Sequence, residues 1–159
     1  MISQIHPENV KVVSLTTIAT PHHGSSFADF IFERLGGGFI PRVFRAMDKL
    51  GVEHGAFSQL TKQYMREEFN PKTPDDPAVR YFSYGAVFSP GWWSMFYTSH
   101  RIIRRIEGPN DGLVSVESSK WGGDDGYKGT LVGVSHLDLI NWTNRLKWLI
   151  WELTGKKRK

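Results

Sequence analysis

The pattern of apolar and polar positions predicts that strands and helices alternate along the chain. Residues 10–19 (VKVVSLTTIA) are rich in β-branched side chains, carry almost no charge and end at Thr20-Pro21. Such a run predicts a strand that is buried on both faces, as in a parallel sheet. Aromatic and β-branched residues at 79–88 predict a second strand, and residues near 128–134 predict a third.

Between and after these strands, apolar residues recur at intervals of three and four, which predicts helices. Ser25 and Ser26 offer an N-cap for a helix over 27–35, and further helices are predicted over 41–50, 57–69 and 137–153. A proline-rich segment, NPKTPDDP, separates the third of these from the second strand. The order of strand, helices, strand, loop, strand and helix predicts an α/β fold. Because the helical stretch 27–69 is longer than a simple crossover, we interpret it as a cap or lid above the sheet.

Composition narrows the class of protein. The chain has 159 residues, 40% of them hydrophobic, and no cysteine, so we expect one globular domain without disulfides or thiolate metal sites. No apolar run reaches the length of a membrane span, and the first residues lack a secretory signal. The absence of cysteine fits the cytosol or an organelle matrix. The net charge of +4 comes largely from a basic tail at 155–159. We therefore do not expect nucleic-acid binding, and the sequence does not indicate an oligomeric state.

Asp111 and His136 are the residues that could carry proton-transfer chemistry. Asp111 lies in Pro-Asn-Asp-Gly, a turn sequence, and His136 follows the third predicted strand 25 residues later. A hydrolase needs a histidine to take and return a proton, and a carboxylate to orient that histidine. The alternative interpretation is a surface turn with a solvated aspartate and a structural histidine.

Two other clusters permit alternative interpretations. The adjacent His22 and His23 follow the first strand, but consecutive side chains on extended backbone point apart, so we expect no metal there. Trp92 and Trp93 begin an aromatic cluster that continues to residue 97. This cluster either packs in the core under a loop or forms an apolar wall that contacts acyl chains or a lipid interface.

Three ordered segments resemble the bacterial-type triacylglycerol lipases, and especially their fungal members. These segments are VVSLTTIATPHHGSSFADF, GPNDGLVSVESSKWG and VSHLDLINW, and the resemblance spans about residues 7–149. It implies the C-terminal half of an α/β-hydrolase fold, with Asp111 as the catalytic acid, His136 as the catalytic base and an acylglycerol or other lipid ester as substrate. It also implies that the loop with His22 and His23 borders the substrate cleft. We assign Trp92 and Trp93 to the same cleft, as the apolar wall described above.

The resemblance bears on metal binding as well. Asp138 matches a position at which bacterial relatives bind a structural calcium ion. The region FSPGWWSMFYTSHRI, where a second calcium aspartate would lie, contains no acid. Because calcium is usually bound by several oxygens that include more than one carboxylate, we expect no cofactor and interpret Asp138 as a local cap or loop anchor.

The nucleophile of this family is a serine in Gly-x-Ser-x-Gly, and no serine of the sequence lies in that motif. The resemblance places the motif upstream of Met1. We therefore expect a fragment or truncated form of a lipase, inactive by itself, in which residues 10–19 become an exposed sheet edge. The alternative is a catalytically inactive relative that binds lipid or protein.

Overall fold

The computed structural model describes residues 9–34, 58–123 and 125–140. The helix predicted over 41–50, most of the helix predicted over 137–153 and the basic tail at 155–159 lie outside these residues. The described strands and helices, in chain order, are β1 (Ser14–Ile18), α1 (Ser26–Arg34), α2 (Lys62–Tyr64), a π-helical segment (Met65–Phe69), α3 (Asn70–Lys72), β2 (Arg80–Val87), α4 (Tyr97–Ile106), β3 (Tyr127–Val132) and α5 (His136–Leu139).

The three strands form one parallel sheet in the order β1-β2-β3. Ser14 of β1 is opposite Arg80, and Val87 of β2 is opposite Val132. Each strand therefore ends at the same edge of the sheet, where the loops after Ile18, Val87 and Val132 meet. Parallel strands joined by helical connections confirm the predicted α/β class.

The interpretation of the first strand as buried on both faces is wrong. Only five residues pair with β2, and four of these five are exposed. Val10, Val13, Leu15 and Ile18 are all exposed large apolar residues, because β1 is an outer strand of the sheet as described. The exposure agrees with the second expectation for this segment, an uncharged strand at an open edge.

The segment predicted as a loop between the second and third strands contains the helix α4. Its buried side chains, Ser99, His100 and Ile103, recur on one face, while its arginines are exposed. The helical periodicity is hard to see in the sequence because two of the three buried positions are polar. Ile103 and the α1 residues Ala28 and Ile31 are all buried, and α1 packs against α4.

The helices predicted within 27–69 are present where the structure describes that range. Helix α1 begins at Ser26, and the Ser25 hydroxyl caps it by accepting the Phe27 amide at 3.3 Å. The predicted helix over 57–69 is a short α-helical turn that widens into the π-helical segment. None of the described helices has the length and apolar composition that crossing a membrane requires.

Candidate active site

Asp111 and His136 lie side by side where the loops leave the sheet. His136 Nδ1 is 2.7 Å from Asp111 Oδ2. The Asp111 side chain is completely buried, whereas the His136 side chain is 28% exposed. These two residues stand 25 positions apart in the sequence, and the fold brings them into a direct hydrogen bond.

The Asp111 carboxylate is held by its own turn. Its second oxygen, Oδ1, accepts the amides of Leu113 at 3.0 Å and Val114 at 2.8 Å. The Asp111 carbonyl accepts the His136 amide at 3.0 Å, so the backbones of the two loops are joined as well. The interpretation of Asp111 as a solvated surface aspartate is therefore wrong: turn propensity describes the backbone correctly, but it carries no information on burial.

Asn110 holds the backbone of this turn through three side-chain hydrogen bonds, and the sequence pattern does not identify it. Its amide nitrogen donates to the carbonyls of His100 at 3.2 Å and Gly108 at 3.0 Å, and its side-chain oxygen accepts the Gly112 amide at 2.9 Å. Its carbonyl accepts the Phe88 amide at 3.2 Å, which ties the turn to the end of β2. Asn110 is completely buried. The only sequence signal for it is its place in a Pro-Asn-Asp-Gly turn.

Gly112 is required at the tip of this turn for two reasons. Its φ is +102°, a conformation that favours glycine. A Cβ at this position would lie 2.7 Å from the ring of Phe96, which is itself buried. Phe96 therefore packs directly on the backbone next to Asp111.

The loop after β1 is fastened to the segment that follows Asp111. The Ser25 hydroxyl donates to the Leu113 carbonyl at 2.7 Å, and the Ser118 hydroxyl donates to the Gly24 carbonyl. His23 adds a bond from its amide to the Ser118 carbonyl at 3.3 Å. Hydrogen bonds thus connect the first two of the three segments that resemble lipases. The third segment is joined to them through the bonds between His136 and Asp111.

The turn over residues 110–115, which carries Asp111 and is called the acid turn below, is connected to the predicted cap region (27–69) by Glu107. Its carboxylate accepts the Ser26 amide at 3.1 Å and the Ser115 hydroxyl, and it pairs with Lys62 at 2.9 Å. Burial raises the pKa of this carboxyl, but the hydrogen bonds from Ser115, Ser26 and Lys62 outweigh burial and leave the pKa below its ordinary value. The sequence does not single out Glu107, because it stands in a segment whose pattern predicts a loop.

The two adjacent histidines have different environments. The His22 ring stacks on Trp121 with centroids 4.9 Å apart, and its Nε2 is 2.8 Å from the Thr17 hydroxyl oxygen. Burial, and then the neighbouring His23, lower the pKa of His22 to about 4. His23 is exposed and also contacts the Trp121 ring, at a centroid distance of 5.9 Å.

His22 lines a cavity of about 560 Å³ between the first two strands and the helical turns that follow residue 58. Aromatic and apolar side chains form much of its wall, including Leu60, Tyr64, Met65, Tyr81 and Trp121. Asp111 and His136 do not line this cavity. The structure therefore joins the predicted acid and base to each other and places the predicted cleft residue His22 in a neighbouring space.

The aromatic cluster divides into a buried and an exposed part. Trp92 and Trp93 are 79% and 77% exposed, and their rings meet edge to face at 5.7 Å. Met95 is also exposed, whereas Phe96 is buried against Gly112. Core packing is therefore the wrong interpretation for both tryptophans.

Asp138 acts as a local cap in the described structure. Its Oδ2 accepts the Ser135 amide at 3.0 Å and the Ser135 hydroxyl at 2.6 Å, at the start of α5. The described residues contain no group of three or more histidine, aspartate or glutamate side chains that could hold a metal ion. Among the described residues, the single carboxylate of Asp138, with its Oδ2 bonded to Ser135, does not provide the several oxygen ligands by which calcium is usually bound.

The arrangement of Asp111 and His136 suits proton transfer. A buried carboxylate that accepts from Nδ1 fixes the imidazole tautomer, leaving Nε2 on the opposite side of the ring able to accept a proton. The backbone amides of Leu113 and Val114 hold the Asp111 carboxylate in place. An arrangement of this kind is able to serve general base and general acid catalysis.

Comparisons with known proteins relate the chain to lipases. No family model matches the sequence. Triacylglycerol lipase 2 of Saccharomyces cerevisiae is 43% identical over 92% of this chain, and the chain spans 43% of the length of that curated relative.

Solved structures of bacterial lipases share the fold. A mature Bacillus licheniformis lipase superposes with a TM-score of 0.60 at 22% identity, over 90% of this chain and 54% of its own. Staphylococcus hyicus lipase superposes with a TM-score of 0.60 at 20% identity, over 89% and 56% respectively.

Proposed function

Because the chain is homologous to part of a triacylglycerol lipase and has the α/β-hydrolase fold, we propose that it supplies the acid and base of a carboxylic-ester hydrolase. In this proposal Asp111 is the acid and His136 is the base. The observation that carries it is the 2.7 Å contact between His136 Nδ1 and a completely buried Asp111 carboxylate. The proposed substrates are acylglycerols or other lipid esters.

The reaction requires a serine from outside these 159 residues, since none of their serines lies in Gly-x-Ser-x-Gly. His136 Nε2 would take the hydroxyl proton of that serine as it attacks the ester carbonyl. The same nitrogen would return the proton to the departing alcohol, leaving an acyl-enzyme. Water, activated by His136 in the same way, would then release the fatty acid.

The cap and cleft are parts of the same proposal. Residues 27–69 would form a cap over the cleft, with the Glu107–Lys62 pair holding its far end to the acid turn. His23, exposed beside that turn, would border the cleft, and Trp92 and Trp93 would provide an apolar approach to it. We propose that the protein acts inside the cell, in the cytoplasm or a mitochondrion.

A second candidate is a non-catalytic module that binds lipid or protein. The observation in its favour is the exposed apolar surface at Trp92, Trp93 and Met95, together with the edge of β1 that no described strand pairs with. This candidate predicts that Asp111 and His136 are dispensable for every measurable property except stability.

The test joins the chain to an upstream segment that carries the serine motif and measures hydrolysis of a soluble nitrophenyl ester and of emulsified triacylglycerol. We expect hydrolysis by the joined protein, and a loss of about 10³-fold or more in D111N and in H136A. The matched control is D125N, which removes an exposed aspartate and should retain full activity. Activity that survives both D111N and H136A would overturn the proposal, and absence of activity in the folded joined protein would favour the non-catalytic module.

A further inference from the structure

Trp92, Trp93 and Met95 form an exposed apolar tip, which we call the aromatic loop. Each of these side chains is more than three-quarters exposed. The loop is nevertheless ordered by its own hydrogen bonds: the Ser94 amide donates to the Gly91 carbonyl at 2.9 Å, and the Tyr97 amide donates to the Ser94 carbonyl at 3.0 Å. Such concentrated apolar exposure on a well-formed turn needs a partner that is apolar as well.

The aromatic loop is joined to the proposed active site by the packing of Phe96. Phe96, the next residue along the chain, is buried against Gly112 and meets Phe88 edge to face at 6.0 Å. Gly112 adjoins Asp111. A surface that the loop contacts would therefore lie near the turn that carries Asp111.

Basic side chains follow the aromatic loop directly. Helix α4 begins at Tyr97, and its exposed arginines are Arg101, Arg104 and Arg105. The segment from Gly91 to Ile106 contains no aspartate or glutamate. Tyr97 and Arg101 contact each other, since Arg101 Nη1 donates to the Tyr97 hydroxyl at 3.1 Å and the guanidinium lies 5.5 Å from the ring centroid.

Helix geometry sets the depth of these charges. At about 1.5 Å per residue, Arg101 lies about 6 Å and Arg105 about 12 Å along α4 from Tyr97. Tyr97, Arg101 and Arg105 follow one another at intervals of four residues and so lie along one side of α4, and both arginines are exposed. Tryptophan and tyrosine favour the boundary between hydrocarbon and headgroups, and arginine favours anionic headgroups just above it.

We propose that the aromatic loop inserts into the surface of a lipid bilayer or droplet that carries anionic phospholipid. Trp92, Trp93 and Met95 would enter the acyl-chain boundary, and Arg101 and Arg105 would contact headgroup phosphates. This proposal rests on the proposed lipase function, because insertion of the aromatic loop would bring the acid turn to the lipid surface that holds the substrate. It can be tested without turnover.

The test measures vesicle binding by co-sedimentation with ether-linked lipids, which contain no ester to hydrolyse. One set of vesicles is phosphatidylcholine alone, and in the other about a third of the lipid is phosphatidylglycerol. We expect the 159-residue chain to bind the anionic vesicles, and W92A/W93A to weaken that binding by about 100-fold, about tenfold per tryptophan. The matched control is V132A, which shortens an equally exposed apolar side chain on β3.

The charge contribution has its own pair of variants. R101Q/R105Q should weaken binding to anionic vesicles by about 25-fold, about fivefold per arginine, and leave binding to neutral vesicles unchanged. R80Q/K128Q removes the same charge from exposed positions on the sheet and should have no comparable effect. Equal binding of the parent chain to neutral and anionic vesicles would overturn the headgroup assignment.

Three further outcomes would overturn the proposal. The first is W92A/W93A binding as tightly as the parent chain. The second is a concentration-dependent dimer that W92A/W93A abolishes while no vesicle binding is seen, which would assign the loop to a second copy of the chain. The third is a loss of vesicle binding when the upstream serine-bearing segment is joined, which would assign the loop to an intramolecular contact. Vesicle binding in a joined protein that lacks esterase activity would instead contradict the proposed function alone.

Discussion

Acid should destabilise this protein through His22, and the size of the effect follows from its surroundings. The ring stacks on Trp121 and its Nε2 meets the Thr17 hydroxyl oxygen, so the neutral imidazole is well accommodated. Because the Thr17 hydroxyl donates to the Phe82 carbonyl at 3.4 Å, its oxygen is able to accept from His22 Nε2. Burial, followed by the neighbouring His23, lowers the pKa of His22 from 6.5 to about 4.

The sign of the effect follows from proton linkage. Between pH 6.5 and about 4 the unfolded chain binds a proton at His22 and the folded chain does not, so stability is lost as the pH falls through this window. At about 1.4 kcal/mol per pH unit the full loss would be about 3 kcal/mol. Solvent screens the partly exposed ring, so we expect about half of that, roughly 1.5 kcal/mol.

The assay compares urea unfolding of the parent chain and of H22Q at pH 7 and pH 4.5. Glutamine keeps a donor for Thr17 but does not titrate. We expect the parent chain to lose about 1.5 kcal/mol more than H22Q over this range, or about 3–6 °C in Tm. H23Q is the matched control, because it removes an exposed neighbouring histidine and should retain most of the acid-dependent loss. If H22Q loses stability with acid as steeply as the parent chain, the reasoning is refuted.

Two further substitutions test the acid turn. G112A should lower the free energy of unfolding by more than about 2 kcal/mol, because it strains a φ of +102° and sets a Cβ 2.7 Å from Phe96. The control G108A has a φ of +94° but no atom within 4 Å of its Cβ, so it should lower the free energy of unfolding by only about 1–2 kcal/mol. Thermal unfolding of both variants provides the comparison, and equal losses would refute the contribution of the Phe96 contact. E107Q should lose about 1–3 kcal/mol of unfolding free energy at pH 7. Because the pKa of Glu107 is lowered in the folded chain, the ionised carboxylate stabilises the fold, and this stabilisation disappears as the carboxylate is protonated. The difference between E107Q and the parent chain should therefore shrink as the pH falls below about 4.5. The control E117Q removes an exposed ion pair with Lys120 and should change stability by less than about 1 kcal/mol; a loss in E107Q that is independent of pH would contradict the assignment.

The sequence predicts the class of fold because strand and helix periodicities are local properties. The predicted ends of the second and third strands lie within two residues of the observed ends, and α1 begins one residue before its predicted start. Burial is harder to predict for the first strand, since VKVVSLTTIA has the composition of a central strand but β1 stands at the edge of the described sheet. Helix α4 is not predicted because its buried face includes Ser99 and His100, which do not stand out as apolar positions.

The candidate site shows the same division between local and tertiary information. Residue type, chain order and resemblance to lipase segments single out Asp111 and His136, and the fold brings the two together. Asn110 bonds the backbone around this turn, and Glu107 joins Ser115 to Ser26 and Lys62. Neither residue is identified from the sequence, because the bonds to His100, Ser26 and Lys62 depend on the tertiary fold. The exposure of Trp92 and Trp93 also depends on tertiary packing, since the neighbouring Phe96 is buried.

In the proposed function, Asp111 orients His136 so that His136 can activate a serine. The most direct measurement joins the chain to an upstream segment that carries the serine motif and follows the rate at which a fluorophosphonate modifies that serine. Our account predicts that D111N slows modification by about 10³- to 10⁴-fold while circular dichroism of the folded protein is unchanged. Modification of D111N at the rate of the unsubstituted protein would contradict it.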